Sequence, residues 1–183
     1  SGTYNSAFAA AQMTSTPEKV AIVDSMTTSV NLRTLVERAY NLAEAGVSRD
    51  EIVRILDHEK HQMHVNLTVD TLEYLKRGGR LSGAKAAIAT VLDLRPILAV
   101  VEGKLEPVGK ARGRKKSIEM MLGSIPADVK KVGLCHIFSY EEACEVKAMI
   151  EARYPQAEVV IDEIGPVIGS QLRPKALGVL SSW

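Results

Sequence analysis

The sequence has almost no cysteine and no excess of charge, and each shortage excludes a class of protein. Two cysteines in 183 residues cannot form a disulfide framework, so we expect a reducing, cytoplasmic compartment. The formal net charge of +1 excludes a general electrostatic attraction to nucleic acid or to anionic membranes. No apolar run approaches the roughly 20 residues that a membrane-spanning helix requires. Aromatic residues make up only 4% of the chain, yet 46% of it is hydrophobic, which is enough to bury a core.

Hydrophobic periodicity divides the chain into two parts. Residues 1–70 show helix, strand, two helices and strand, with the first strand at 19–25, and this order predicts part of a doubly wound α/β domain. Residues 71–183 alternate helical and strand patterns and contain a hairpin that turns at Glu102 and Gly103. That order predicts an α+β domain with a mostly antiparallel sheet and packed helices. We therefore expect two domains that meet after residue 70.

A glycine-framed arginine lies in the segment LKRGGRLSGAKA, residues 75–86. Gly78 and Gly83 have the separation of a phosphate-binding loop, but alanine stands where the lysine of that loop belongs, and no hydroxyl follows. A phosphate loop also follows a strand, whereas the preceding pattern here is helical. An anion site built on Arg80 and Ser82 suits the segment better, because a guanidinium fork matches a carboxylate and the glycines let a ligand approach the backbone. A nucleotide site and a plain glycine turn are the alternatives.

Two further stretches are candidates for binding. SGTYNSA, residues 1–7, places Ser1 at the start of a helical pattern, where free backbone N–H groups favour an anion and a simple helix cap is the alternative. Residues 110–116 contain five cations and no acid. This run favours a solvated loop or docking to an acidic protein surface over nucleic acid, because no aromatic residues are interleaved with it. Its cations are Lys110, Arg112, Arg114, Lys115 and Lys116.

The histidines do not predict a metal site. His58, His61 and His64 are spaced three residues apart at the end of a helical pattern, which favours a solvated helix end over a set of ligands. His136 alternates with Cys135 in a strand pattern, which predicts a partly buried sheet histidine. No nucleophile–base pair and no pair of carboxylates can be defended in the sequence, so the residues favour binding over catalysis.

Several motifs together resemble one protein family. SGTYNSA at the start, DTLEYLKRGGRLSGAKA at 70–86 and EIGPVIGSQLRPKALGV at 163–179 are similar to the DegV family of bacterial fatty-acid-binding proteins. VAIVDS at 20–25 and the segment 95–116 are similar as well, so the resemblance runs in order along the whole chain. It implies an α/β N-terminal domain followed by an α+β C-terminal domain. It also implies one long-chain fatty acid with its carboxylate held between the domains, and no other cofactor.

The resemblance implies a role for single residues at the head group of the fatty acid. Positions 170 and 171 usually hold threonine and histidine in the family, whereas this chain has serine and glutamine there. Glutamine donates a hydrogen bond but carries no positive charge. By carry-over from the motifs, the residues expected to bind the carboxylate are Ser1, Arg80, Ser82, Ser170 and Gln171.

The function that the resemblance implies is binding without catalysis. In the family's fatty-acid kinase systems, the bound acid is presented to a separate kinase subunit that uses ATP, on the way to phospholipids. We expect Lys110, Arg112 and Arg114 to help dock this partner. A nucleotide-binding enzyme that uses the Gly78–Gly83 loop is one alternative. A truncated fragment without a ligand is another, because family members usually have a longer first domain than residues 1–70.

Overall fold

The computed structural model describes residues 2–81 and 94–182, which contain both helices and strands. The α-helices are α1 (Gly2–Gln12), α2 (Ser29–Glu44), α3 (Arg49–Glu59), α4 (Glu73–Arg77), α5 (Arg114–Gly123), α6 (Tyr140–Arg153) and α7 (Pro166–Leu172). The strands are β1 (Met63–Thr68), β2 (Leu94–Val101), β3 (Lys104–Arg112), β4 (Lys131–His136), β5 (Glu158–Glu163) and β6 (Leu177–Ser182). None of the helices in these two ranges is both long and apolar enough to cross a bilayer.

The strands form one mixed sheet in the order β3-β2-β1-β6-β4-β5. Neighbouring strands are antiparallel except for β4 and β5, which are parallel and connected through α6. The expected mostly antiparallel sheet with packed helices is therefore confirmed. In residues 2–70 only β1 is a strand, and it pairs antiparallel with both β2 and β6. One sheet thus combines strands from both sides of residue 70, and the division into two domains stays a prediction.

The apolar run at residues 19–25 is not a strand, so that expectation was wrong. Residues 20–28 have no regular structure and connect a short 3-10 turn, Pro17–Lys19, to α2. Val20 is 41% exposed. An apolar run indicates that a segment prefers to be buried. It does not indicate whether a neighbouring strand is available for the backbone hydrogen bonds that a sheet requires. The sequence pattern of residues 86–94, AAIATVLDL, also predicts a helix, but this segment lies outside the described residues except for Leu94, which begins β2.

The hairpin of β2 and β3 turns where the sequence predicts. Glu102 and Gly103 both have positive φ angles, 47° and 71°, as the two central residues of a type I′ turn require. The turn contacts the irregular segment before α2, because a Cβ built at Gly103 would lie 3.6 Å from the Cα of Met26. The hairpin is thereby held beside the N-terminal segment, and its turn reaches the candidate site described below.

The sheet has an apolar core on each face, because side chains alternate along every strand. The first core packs α5 and α6 against one face, with Leu134 of β4 and Leu177 of β6 fully buried in it. The second core includes Cys135 and Leu180 from the same two strands, together with side chains from α2, α4 and α7. The second face is the functionally interesting one, because its helices do not fill the space above the strands.

Candidate ligand-binding cavity

A cavity of about 660 Å³ lies between the second face of the sheet and the helices that cover it. A volume in this range accommodates a small organic ligand. Most of its lining is aliphatic, including Val65, Leu67, Leu75, Leu105, Ile168 and Leu180. Such a surface favours an apolar ligand, because few of its groups can form hydrogen bonds with a polar one.

Gly178 opens the centre of the cavity floor. In the register of the sheet, Gly178 of β6 lies between Leu67 of β1 and Cys135 of β4, and all three residues line the cavity. A Cβ built at Gly178 would approach no atom closer than 3.5 Å, which is an ordinary contact. The absence of a side chain therefore leaves space for a ligand and is not required by the backbone. A glycine within a strand pattern is a sequence signal for such a close approach, and the sequence analysis above did not use it.

Arg80 and Gln171 meet at Gly78 on the wall of the cavity. Arg80 is exposed, and its Nη1 donates a hydrogen bond to the backbone oxygen of Gly78 at 2.6 Å. The side-chain amide of Gln171 lies against the same glycine, since a Cβ built at Gly78 would be only 1.6 Å from Oε1. Contacts between α4 and α7 bring the two residues together. The structure thus joins two residues that the sequence assigned to one site from distant motifs.

The two glycines after α4 differ in their surroundings and conformation. Gly78 has an ordinary helical φ of −75°, and a Cβ there would displace the flexible amide of Gln171. Gly79 has a φ of 67°, in the left-handed region that glycine adopts at little cost. Together they end α4 and direct the chain so that Gly79 and Arg80 line the cavity. The loop is therefore built to present Arg80 at the cavity rim.

The other three residues expected at the head group are not seen to line the cavity. Ser1 and Ser82 lie outside the described residues, although Gly2, the neighbour of Ser1, lines the cavity. Ser170 is exposed on α7, and its hydroxyl donates to the backbone oxygen of Val167 at 3.1 Å. It is not among the residues that line the cavity. The roles of Ser1, Ser82 and Ser170 stay predictions, and the geometry supports the location of Arg80 and Gln171 alone.

The basic run is divided between a strand and a helix. Lys110 and Arg112 are exposed on β3, an edge strand of the sheet. Arg114 begins α5, and its Nε donates to Glu142 of α6 at 2.7 Å in a partly buried ion pair. The guanidinium of Arg114 thus connects two helices, and its role in docking a partner stays a prediction. The pair lines a second cavity of about 890 Å³, where Arg95 is likewise paired with Asp70.

The histidines carry no metal site in the described part of the chain. No group of three or more potential ligands, counted over histidine, cysteine, aspartate and glutamate, is close enough there to hold an ion. His136 lies in β4 as expected but is more deeply buried, at 4% exposure. Its Nδ1 accepts a hydrogen bond from the backbone N–H of Ser139 at 3.4 Å. His136 is therefore a structural residue at the end of a strand.

Cys135 is a cavity residue that sequence reasoning assigned only to an apolar strand. Its Sγ lies 3.1 Å from the hydroxyl oxygen of Ser29 on α2. Burial raises the pKa of the Cys135 thiol, and the contact with Ser29 lowers it by less. A buried thiol with a raised pKa has little thiolate and is a poor nucleophile. Cys135 therefore suits a wall position and can report whether the cavity is occupied.

We expect Cys135 to react with iodoacetamide at least about tenfold more slowly than Cys144 near neutral pH, because only the thiolate reacts. Cys144 is exposed and provides the internal control. A long-chain ligand in the cavity should slow Cys135 further and leave Cys144 unchanged. Peptide mass spectrometry over a time course measures both rates in one sample. Equal rates for the two thiols, or protection of Cys144 alone, would contradict the cavity assignment.

The fold and the site together define an α/β protein with an apolar ligand cavity. The chain belongs to the DegV family, whose model matches residues 1–182. The resemblance found in the motifs is thus confirmed. A DegV domain-containing protein of Clostridium perfringens is 35% identical over 179 residues, which cover 93% of this chain and 62% of that protein. A DegV domain-containing protein of Clostridium acetobutylicum is 32% identical, and the match covers 98% of this chain and 65% of that protein. The chain therefore spans less than two thirds of the length of these curated relatives.

Solved structures of the same family match the fold over its whole length. A fatty-acid-binding DegV family protein from Thermus thermophilus is 34% identical, with a TM-score of 0.86, and the match covers 100% of this chain and 66% of that one. The fatty-acid-binding protein DegV from Bacillus subtilis is 31% identical, with a TM-score of 0.82, and the match covers 100% and 67%, respectively. The arrangement of strands and helices described above is therefore the fold of this family.

Proposed function

We propose that this protein binds a single long-chain fatty acid, with the acyl chain in the cavity and the carboxylate beside Arg80 and Gln171. The observation that carries this proposal is an aliphatic cavity of about 660 Å³ with a guanidinium group at its rim. Each buried methylene stabilises the complex by about 0.8 kcal/mol, and the planar guanidinium matches a carboxylate. The fatty-acid-binding proteins from Thermus thermophilus and Bacillus subtilis, which share the fold, support the same assignment.

The same cavity supports binding without catalysis. Among the described residues that line it, no nucleophile is paired with a general base. The contact of the Cys135 thiol is a serine hydroxyl, which activates a thiol poorly, and burial raises the pKa of Cys135. Chemical activation of the bound acid is therefore assigned to a partner, and the fatty acid is the only small molecule that the proposal requires.

Mass spectrometry of an organic extract from the purified protein tests the proposal directly. We expect about one long-chain fatty acid per protein molecule, retained through purification. Protein that is empty after purification is titrated directly with fatty acids of increasing length. A protein that is folded, empty and unable to take up any of them would refute the proposed function.

A nucleotide site at the Gly78–Gly83 loop has less support. The loop follows α4, whereas the phosphate loop of nucleotide-binding proteins follows a strand. The amide of Gln171 also occupies the space beside Gly78. Titration with ATP and magnesium distinguishes a nucleotide site from a fatty-acid site, and we expect no saturable binding of ATP.

We infer further that the bound acid is presented to a separate, ATP-dependent fatty-acid kinase subunit in the cytoplasm, for use in phospholipid synthesis. The support from this chain is the pair of exposed cations, Lys110 and Arg112, on edge strand β3. They alternate with the buried Ala111 and therefore point to the same side of the sheet. Charges on one side of an edge strand accelerate association with an acidic partner surface.

Reversing both charges, K110E together with R112E, should weaken association with the kinase subunit by about tenfold or more at low salt, because attraction becomes repulsion. The fatty-acid content of the protein should not change. The matched control reverses Lys19 and Lys130, two exposed cations outside β3. Surface plasmon resonance at two salt concentrations measures the effect. Equal losses for the test and control variants would contradict docking through β3.

A further inference from the structure

Gln171 carries a buried oxygen that accepts no hydrogen bond. Its Oε1 has almost no contact with solvent and no donor anywhere in the described part of the chain. Buried side-chain oxygens are satisfied in most proteins, and an unsatisfied one is destabilising. Because Gln171 lines the cavity, a bound molecule can supply the missing donor.

The amide of Gln171 lies close to Gly78. A Cβ built on Gly78 would lie 1.6 Å from Oε1, 2.7 Å from Cδ and 3.2 Å from Nε2, so the whole amide lies against this glycine. The neighbouring Leu172 is buried in the second core and anchors the end of α7. Gln171 itself is half-buried, and its amide is one of the few polar groups of the cavity wall. The few polar groups of a mostly apolar pocket determine which head group it accepts.

Few charged side chains line the cavity. Arg80 and Lys104 are the charged side chains among the described residues that line it, and both are exposed at its rim. The Nη1 of Arg80 already donates to the backbone oxygen of Gly78. Exposed cations attract a carboxylate only moderately, because water and salt screen them. The deeper polar contact, Gln171, is neutral and does not distinguish a charged head group from an uncharged one.

We propose that Gln171 extends the ligands of this cavity to long-chain primary amides, which bind with an affinity comparable to that of the corresponding fatty acids. The inference rests on the proposed function, since it uses the same cavity for the acyl chain. The NH₂ group of a primary amide donates to Oε1, and its carbonyl oxygen accepts from Arg80. A carboxylate has only acceptors, so it must rotate the Gln171 amide to receive a hydrogen bond from Nε2.

The test compares dodecanoic acid with dodecanamide, which differ only at the head group. Delipidated protein is loaded with a fluorescent long-chain fatty acid, and each compound displaces it at about pH 7.5. Both compounds should displace the probe with dissociation constants within about tenfold of each other, because the neutral amide of Gln171 offers Oε1 to an amide head group and, after rotation, Nε2 to a carboxylate. This ligand pair separates the inference from the proposed function, which requires only the acid to bind.

Three variants assign the effect to Gln171. Q171M keeps a similar volume but removes Oε1, so the dissociation constant of the amide should rise by about tenfold while that of the acid rises less. Q171E keeps an acceptor and adds a negative charge, so the acid should lose at least about tenfold in affinity and the amide should keep its own. Q156M is the matched control, because it makes the same substitution at an exposed glutamine that donates to the backbone oxygen of Ala127 and is not among the residues that line the cavity.

Each outcome decides one of the two proposals. Binding of the acid together with amide binding more than about 100-fold weaker would overturn the inference and leave the proposed function intact. Amide binding that Q171M does not weaken relative to the acid would also overturn it, because Gln171 would then not be responsible. Binding of neither compound to folded protein would remove the proposed function and the inference with it. A loss for the amide in Q171M and for the acid in Q171E would support the assignment.

Discussion

Replacing Gly178 with leucine should weaken fatty-acid binding by roughly 100-fold while the protein stays folded. The leucine side chain would enter the centre of the cavity floor, between Leu67 and Cys135, and displace about four methylene groups of a bound chain. At about 0.8 kcal/mol per methylene this amounts to about 3 kcal/mol, or roughly a 100-fold loss of affinity. Leucine adds apolar contacts to the second core, so we expect little loss of thermal stability.

Two variants control for the effect of G178L. G178A adds only a Cβ, whose nearest neighbour would lie 3.5 Å away, so binding should weaken by less than about threefold. G123L adds the same leucine side chain at a position on α5 with no atom within 4 Å of a Cβ, and it should leave binding unchanged. Titration with a fluorescent fatty acid and thermal unfolding measure the two properties separately. Full affinity in a folded G178L protein would show that the acyl chain lies elsewhere.

Removing the guanidinium group with R80A should weaken fatty-acid binding by about tenfold. A hydrogen bond to a charged group contributes roughly 1.5–3 kcal/mol, and the lower end of this range applies because Arg80 is exposed and screened by solvent. The side chain is exposed at the cavity rim, so its loss should change the melting temperature little. The bound lipid that mass spectrometry detects in the wild type should be lost or greatly reduced.

The control for R80A is R77A, on the same short segment of chain. Arg77 is exposed and pairs with Glu73 within α4, so it does not face the cavity. Affinity for the fatty acid should be unchanged in R77A. High salt should weaken binding to the wild type more than binding to R80A, because one of the two screened charges at the rim, Arg80 and Lys104, is then already absent. R80A with wild-type affinity, or R77A with an equal loss, would show that Arg80 does not hold the carboxylate.

Two similar helix signals in the sequence show how far local patterns can be trusted. Ser48 and Glu51 predict a capped helix start, and the N–H of Glu51 does donate to the hydroxyl of Ser48 at 3.3 Å. Ser139 and Glu142 have the same spacing, and a helix begins there, but the Ser139 side chain caps none of its N–H groups. Glu142 instead pairs with Arg114 of α5, because an ion pair between helices competes with the local bond.

The sequence by itself determined the family, the hairpin and most of the helices, because these depend on local conformation and on motifs that lie together in the chain. The tertiary structure alone decided which faces remain open and which side chains meet. The amide of Gln171, far along the chain, lies in the space that a Cβ at Gly78 would take. Gly178 opens the cavity because its neighbours on two other strands have side chains and it has none. Periodicity reports whether a residue is buried, but only packing between distant segments determines what it is buried against.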